Sequence, residues 1–456
     1  MRANANTATD GPGQAVSFKT ACRYWLKLGC VSFGGPVGQI SMMHTELVER
    51  RRWISDRRFL HALNFTMVLP GPEAQQLATY IGWLMHGTLG GIVAGALFIL
   101  PSLVLLVALS WVYVAWGDLT LVTGVLYGIK PAVTAIVAFA AWRIGRRALH
   151  SAPLAGIALA AFLALFVFDV PYPLIVIGAG VLGWIGSRLA PHAFSGAPAH
   201  AATDGVAVSD AFVSDNSPLP AWARFRWRRA LVFLAAGVTA WLLVEGSLYA
   251  AFGWHGPLTQ LGWFFTKAAL LTFGGAYAVL PYVYQGAVEN YGWLSGEQMI
   301  DGLALGETTP GPLVMVNAFV GFLAGWNEQV LGADRLLAGA LASAALVTFM
   351  TFLPSFLFVL IGGPAVEATR HELSFTAPLS GVTAAVVGVI LSLALFFAWH
   401  VLWPEASPAL PFSGRFDGPA LLLAIAALLA LWRYRVGVIP VIVAGALAGI
   451  AITLLQ

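Results

Sequence analysis

The chain carries one pattern twice, in a constant offset of 240 residues. The first copy runs from Phe33-Gly34-Gly35-Pro36 to Pro70-Gly71-Pro72, and the second from Phe273-Gly274-Gly275 to Pro310-Gly311-Pro312. Lys27/Lys267 and Trp53/Trp293 keep the same register. Past a gap the copies still match: Leu100-Pro101-Ser102 answers Leu353-Pro354-Ser355, and Val133-Thr134-Ala135 answers Val382-Thr383-Ala384. Such a duplication confines the chain to two related halves, each with apolar segments broken by Gly and Pro at corresponding places. Paired breaks of this kind are the best sequence pointer to a transporter binding site.

The medium in which those halves fold follows from composition. Only 10% of the 456 residues are charged and 59% are hydrophobic, whereas a soluble domain carries about a quarter charged residues. The fold class is therefore an all-α polytopic membrane protein whose first partner is the lipid bilayer. A net charge of +3 leaves no nucleic-acid footprint, and the arginines cluster between apolar segments, as orientation signals do. Cys22 and Cys30 lie eight residues apart in one apolar segment and read as packing residues. No metal or cofactor is expected. Residues 1–17 are small and polar, without the apolar core of a cleavable signal, and are expected to be flexible.

Taken in order, residues 18–190 form the first repeat, 191–222 a polar Ala/Ser/Pro/Asp/Gly linker, and 223–456 the second repeat. Full spans are expected near 88–116, 119–142, 153–168, 171–188, 230–250, 336–361, 378–402, 418–434 and 436–455. Four half-length broken segments accompany these nine spans. They are tolerable at membrane depth only if buried in protein or lining a cavity. If each broken pair returns to its starting side, Arg143, Arg146, Arg147, Arg188, the Arg224–Arg229 group, Arg370, Arg433 and Arg435 fall on one side. The positive-inside rule makes that side cytoplasmic. The N-terminus is then cytoplasmic, the linker cytoplasmic and the C-terminus periplasmic. The loop of the first copy holds five arginines, while its counterpart between Val288 and Asp301 holds only acids, Glu289, Glu297 and Asp301. The halves read as inverted-topology repeats.

Three of the four lysines, Lys27, Lys130 and Lys267, stand within apolar segments. A cation near the bilayer centre costs roughly 2.5–3.5 kcal/mol and usually faces a cavity or a partner. Lys27 and Lys267 are symmetry-related and read as paired charges on a shared anion site; the alternative is snorkelling to headgroups. Pro-Gly-Pro presents the backbone N–H groups of Glu73 to Gln75, and of Leu313 to Met315, at helix starts, which attract oxyanions without any side chain. The other candidate substrate contacts are Gly34, Gly35, Gly71, Glu73, Gln75, Gln76, Gly274, Gly275, Thr308, Thr309, Gly311 and Asn317. Neutral oriented donors suit a desolvated tetrahedral anion, since each oxygen must regain hydrogen bonds lost from water. Glu73 and Glu307 flank their Pro-Gly-Pro segments on opposite sides and are the candidate coupling acids. Motifs of zinc proteases, serine hydrolases and Walker-type nucleotide sites are missing, so no enzyme activity is expected and an intramembrane hydrolase is the weakest alternative.

These residues resemble the chromate ion transporter family in its long two-domain form. The resemblance rests on Phe33-Gly34-Gly35-Pro36, His44 with Glu46, Trp53, Pro70-Gly71-Pro72 with Gln76 and Gly82, and Pro101-Ser102. In the second half it rests on Phe273-Gly274-Gly275, Trp293, Pro310-Gly311-Pro312 and Pro354-Ser355. It implies a bacterial inner-membrane protein that exports chromate and confers resistance, with sulfate as the related oxyanion; a homodimer is compatible with it. Ala276 stands where the first copy has Pro36, and Tyr284 where it has His44, so the halves are not expected to contribute equally. A passive anion channel or sulfate exchanger of the same architecture is the main alternative.

Overall fold

A computed structural model describes residues 16–33, 35–117, 119–194, 211–213, 220, 222–273, 275–368, 376–405, 410 and 412–455. Gly34, Gly274, Arg370 and most of the expected linker lie outside the described residues. The described chain is helical throughout, with one isolated bridge between Ile54 and Val213.

The first copy supplies α1 (Phe18–Val31), α2 (Gly35–His44) ending in a π-helical turn (Thr45–Arg50), α3 (Asp56–Thr66) and α4 (Glu73–Trp116). Ser17 and Ser55 cap α1 and α3 with side-chain oxygens, satisfying N–H groups that the helix itself leaves open. α4 is two helices in one name. The backbone leaves helical geometry at His86 and Gly87, and the chain folds back so that Gly95 meets Thr79 and Gln75, while Gly82 meets Gly90 and Ala94. Small residues let these two limbs approach closely, as is usual where lipid provides no hydrophobic drive.

The remaining helices are α5 (Thr120–Ala148), α6 (Ala152–Phe166), α7 (Tyr172–Leu189), the short α8 (Pro191–Phe194), α9 (Trp227–Phe252), α10 (Pro257–Leu271), α11 (Ala276–Tyr284), α12 (Gly296–Thr308), α13 (Val316–Asn327), α14 (Leu336–Ala368), α15 (Thr376–Leu402), α16 (Gly418–Trp432) and α17 (Val438–Leu455). Among the described residues, seven helices are long and apolar enough to cross a membrane. Two of the nine expected spans, α6 and α16, are 15-residue apolar helices instead.

Contacts fix the course of the chain. α1 starts beside His86, where Phe18 meets its ring and the Val16 carbonyl meets Nε2, and ends with Gly29 against Leu97, Phe98 and Pro101 in the middle of α4. The π-helical turn after α2 then returns to α1, with Arg51 over the Tyr24 ring at 5.3 Å. The first broken pair therefore re-enters on one end, here called the arginine end. α10 and α11 form the equivalent hairpin, with Phe264 stacked on Tyr282, and the following α12 meets the far end of α4 through Asp301 and Tyr113, which puts this pair on the other end. Val16 is buried, so the described chain is anchored from its first residue; residues 1–15 of the expected flexible start lie outside the described residues. Residues 211–213 pair with the arginine loop, with Val213 N–H donating to the Trp53 carbonyl at 3.0 Å. Trp222 Nε1 donates to the Trp83 carbonyl at 3.1 Å. Where described, the linker is docked on the first repeat. Cys22 and Cys30 are free thiols, and Cys30 is exposed, so only Cys22 fits the packing role expected of both.

The two hydrophobic cores exchange their long helices. The core around α1 to α3 includes Val359, Leu360 and Val366 from the far end of α14. The core around α10 to α13 includes Leu106 from the far limb of α4. Each half thus inserts its long helix into the other half's broken-helix cluster.

Candidate functional site

The two Pro-Gly-Pro breaks meet the two Gly-Gly breaks reciprocally across the halves. Gly71 N–H donates to the Thr272 carbonyl at 2.7 Å, and Gly311 N–H donates to the Ser32 carbonyl at 2.9 Å. These four residues are pairs at the 240-residue offset, so the contact is the same bond made twice around a pseudo-twofold. Gly71 has φ +129° and Gly311 φ +104°, a region that glycine enters without the Cβ penalty.

Serines of the exchanged long helices close over this crossover. A Cβ on Gly71 would collide with Ser355 Oγ and Gln76 Nε2. One on Gly311 would lie 2.7 Å from Ser102 Cβ and 3.1 Å from its Oγ. Ser102 and Ser355 are themselves symmetry mates. Gln39 adds an unsymmetrical element: its Nε2 donates to the Gly311 carbonyl at 2.5 Å, and Val279 stands at the equivalent place in the other half.

The chemistry of the crossover lies in polar atoms that find no partner there. Ser32 Oγ, Gln39 Oε1, Gln75 Oε1, Gln76 Oε1, Ser102 Oγ, Asn317 Oδ1 and Ser355 Oγ are all buried and make no hydrogen bond among the described residues. Each buried unsatisfied polar atom costs about 1–3 kcal/mol, and such groups in a native structure call for an explanation. Their concentration around two free helix starts supplies one. α4 begins at Glu73 with no side-chain cap, so the N–H groups of Glu73, Ala74 and Gln75 have no helical acceptor. In the second copy the expected triplet is shortened, because Met315 N–H closes a 3₁₀ turn on the Pro312 carbonyl. The serine hydroxyls can turn their protons toward an oxyanion, while the amide oxygens accept from waters that accompany it.

The other expected residues divide. Glu73 and Gly275 approach one another across the halves, with Glu73 Oε1 3.9 Å from where a Gly275 Cβ would stand. Gly35 opens α2 beside Ser32 and Gln39. Gln75 Nε2 donates to Thr79 Oγ1 at 3.0 Å, Gln76 Nε2 to the Pro70 carbonyl at 2.8 Å, and Asn317 Nδ2 to Thr351 Oγ1 at 3.4 Å. Glu307 is buried and accepts from Tyr277 Oη at 2.5 Å. Thr308 and Thr309 spend their hydroxyl protons on the carbonyls of Leu305 and Gly306 within their own helix. The two lysines take no part in the crossover hydrogen bonds. Lys27 lines a cavity of about 340 Å³ with Tyr24, Ser41, Thr45, Glu46 and Arg50, and Lys267 Nζ lies 5.8 Å over the Trp263 ring.

His44 and Glu46 organise the arginine loop. His44 bonds Asp56 at 2.7 Å and Glu49 at 3.2 Å. Burial opposes charge on Glu46, but hydrogen bonds and charge from Arg51 and Arg50 hold its carboxyl below its ordinary value. Sequence reasoning missed Gln39, Ser32, Thr272, Tyr277 and the role of the two aligned serines; the Leu-Pro-Ser repeat was the available signal for the last.

The chromate transporter family model matches residues 20–184 and again 259–450. The chain belongs to the chromate transporter family. Over 454 residues it is 33% identical to the chromate transport protein of Pseudomonas aeruginosa, covering 97% of this chain and 95% of that one. Over 424 residues it is 32% identical to the chromate transport protein of Cupriavidus metallidurans, covering 93% and 90%. A probable chromate transport protein of Synechococcus elongatus is 27% identical over 420 residues, covering 92% and 91%. No solved structure matches the chain. Both family matches contain one Gly-Gly break and one Pro-Gly-Pro break, so the crossover is built from family sequence on both sides.

Proposed function

We propose that the protein is a secondary transporter that exports chromate from the cytoplasm across the bacterial inner membrane, conferring chromate resistance. The observation that carries this is the crossover itself: unpartnered buried polar atoms and uncapped helix starts gathered where two re-entrant pairs meet. A tetrahedral dianion can take hydrogen bonds from the three serine hydroxyls and the unpaired N–H groups of the helix starts, while the four amide oxygens accept from waters that accompany it. Sulfate shares that shape and charge and is the expected competitor. The arginine end, which carries Arg50, Arg51, Arg52, Arg57 and Arg58, is assigned to the cytoplasm by the positive-inside rule.

The deciding experiment is chromate flux in proteoliposomes under separately imposed voltage and pH gradients. Saturable flux driven by voltage, directed from the arginine end outward and inhibited by sulfate, is expected. Non-saturating flux would make the protein a channel, and no chromate flux under either gradient would end the proposal.

Orientation has its own check. In a background lacking Cys22 and Cys30, Arg57→Cys and Ser295→Cys are expected to react with an impermeant maleimide from opposite faces of the membrane, Arg57→Cys from the cytoplasm. Labelling of both from one face would overturn the inverted arrangement.

A further inference from the structure

Two clusters of a tyrosine, a carboxylate and a cation stand on opposite sides of the crossover, the first buried and the second running from buried Asp301 out to exposed Glu297. In the first, Tyr80 Oη donates to Glu367 Oε1 at 2.6 Å, and Arg58 Nη1 lies 3.8 Å from Glu367 Oε2. In the second, Tyr113 Oη donates to Asp301 Oδ2 at 3.0 Å, and Lys130 Nζ lies 3.3 Å from Asp301 Oδ1 and 2.5 Å from Glu297 Oε1. Arg58 and Glu367 are both buried, as is Asp301.

Their positions follow from helix geometry. Ser102 of α4 touches Gly311 at the crossover, and Tyr113 lies 11 residues farther on, about 16 Å along the axis at 1.5 Å per residue. Tyr80 lies on the other limb of α4, seven residues beyond Glu73 and so about 10 Å from the crossover toward the arginine end. In α14, Ser355 touches Gly71, and Glu367 is 12 residues, or about 18 Å, farther toward the arginine end. One cluster therefore stands between the crossover and each end of the molecule.

The clusters are built from equivalent elements with their chemistry exchanged. α3 and α12 are equivalent, as are the far end of α14 and the far end of α4. At the arginine end the cation comes from α3 and the acid from α14. At the opposite end the acid comes from α12 and the tyrosine from α4, while the cation is Lys130 of α5. Each cluster ties the broken-helix unit of one half to the long helix of the other. Aromatic rings thicken both closures: Phe65, Tyr80 and Trp83 wall Gly362 and Gly363 at the arginine end, and Tyr113 meets Phe319, while Trp111 meets Trp326, at the opposite one.

We propose that these clusters are two latches that close the path from the crossover to either face, and that transport opens one while the other holds. Inside a low-dielectric body a charge pair is weak evidence for stability, because desolvation cancels much of its attraction. Breaking it is strongly unfavourable unless both charges regain partners. A latch of this type therefore opens cheaply only when water or an anion reaches it: Arg58 or Lys130 then exchanges its carboxylate for the entering oxyanion. The inference gives the proposed transporter its alternating closure, but it is read out by accessibility, so its failure and the failure of chromate transport are seen separately.

The test places a reporter cysteine at the crossover, Ser355→Cys or Ser102→Cys, in a background lacking Cys22 and Cys30. Arg58→Gln with Glu367→Gln neutralises one latch without leaving a lone buried charge, and Lys130→Gln with Asp301→Asn and Glu297→Gln neutralises the other. The first set is expected to raise the labelling rate from the arginine face by about tenfold or more, with the opposite face unchanged, as a two-state closure loses its bias. The second set is expected to give the mirror result. Equal gains from both faces, or no gain in either set, would overturn the proposal. A second measurement covers variants that fold poorly: joining Arg58→Cys to Glu367→Cys with a short bis-maleimide, which adds one cysteine thiol at each end, should block labelling of the crossover from the arginine face alone. If the linked protein still labels from that face, the cluster is no latch.

Discussion

Gly311→Ala is expected to abolish chromate flux and to destabilise the protein more than Gly71→Ala does. Both glycines hold positive φ, +104° and +129°, and a strained non-glycine backbone costs roughly 1–3 kcal/mol. The new methyl group then separates the two sites. At Gly71 it meets the ends of side chains, Ser355 Oγ and Gln76 Nε2, which retreat by a rotamer change. At Gly311 it meets Ser102 Cβ at 2.7 Å, an atom fixed to its helix, so α4 itself must shift at an overpacking cost of typically about 1–3 kcal/mol. Relaxing the backbone instead would break the Gly311 N–H bond to Ser32 and the Gln39 bond to the Gly311 carbonyl. Thermal melting of the detergent-solubilised protein and flux in proteoliposomes measure the two effects. Ser102→Gly in the Gly311→Ala background should recover part of the stability, because it removes the clash while the φ strain remains. If Gly311→Ala melts with the wild type and transports normally, the crossover is not the tight junction described here.

How much of this was legible in the sequence depends on which contacts the duplication can report. A fixed offset pairs Gly71 with Gly311 and Ser32 with Thr272, and so identifies equivalent residues. The structure joins Gly71 to Thr272 and Gly311 to Ser32, which are contacts between non-equivalent positions of opposite halves. No offset encodes them. The breaks, the helical class and the presence of acids beside the breaks were readable because Gly, Pro and isolated charges are strong local signals. Gln39 was not, since one glutamine in an apolar helix looks like any interhelical donor and Val279 opposite it gives no echo. The paired lysines show a different limit of the offset. Symmetry in sequence guarantees equivalent helical positions, but Lys27 lines a side cavity with Arg50 and Glu46 while Lys267 lies over Trp263. Lys130, whose aligned neighbour is a leucine, turned out to hold a buried acid, because its partners Glu297 and Asp301 lie more than 160 residues away in the other repeat.

Coupling is expected to reside in Glu307, with Glu73 acting on affinity. Export of a dianion from a cell that is negative inside is already favoured by about 2.3 kcal/mol per charge per 100 mV, so protons are not energetically required. A carboxylate that shares a dry site with a dianion nonetheless draws in a proton, because two like charges cannot both persist at close range in low dielectric. Binding then takes up a proton and release frees it. Glu307 suits that role better than Glu73. It sits just before its break, without the helix start that stabilises negative charge near Glu73, and Tyr277 Oη reaches its Oε1 at 2.5 Å, which gives the proton a neighbour to pass along. Glu307→Gln is expected to bind chromate but to transport it at a rate independent of pH. Tyr277→Phe should move the midpoint of the pH profile while keeping the dependence, a response that a merely structural hydrogen bond would not give. Glu73→Gln should mainly change chromate affinity, read from the concentration dependence of flux. If Glu307→Gln and Glu73→Gln both keep the wild-type pH profile, neither acid carries the proton and transport is driven by voltage or exchange alone.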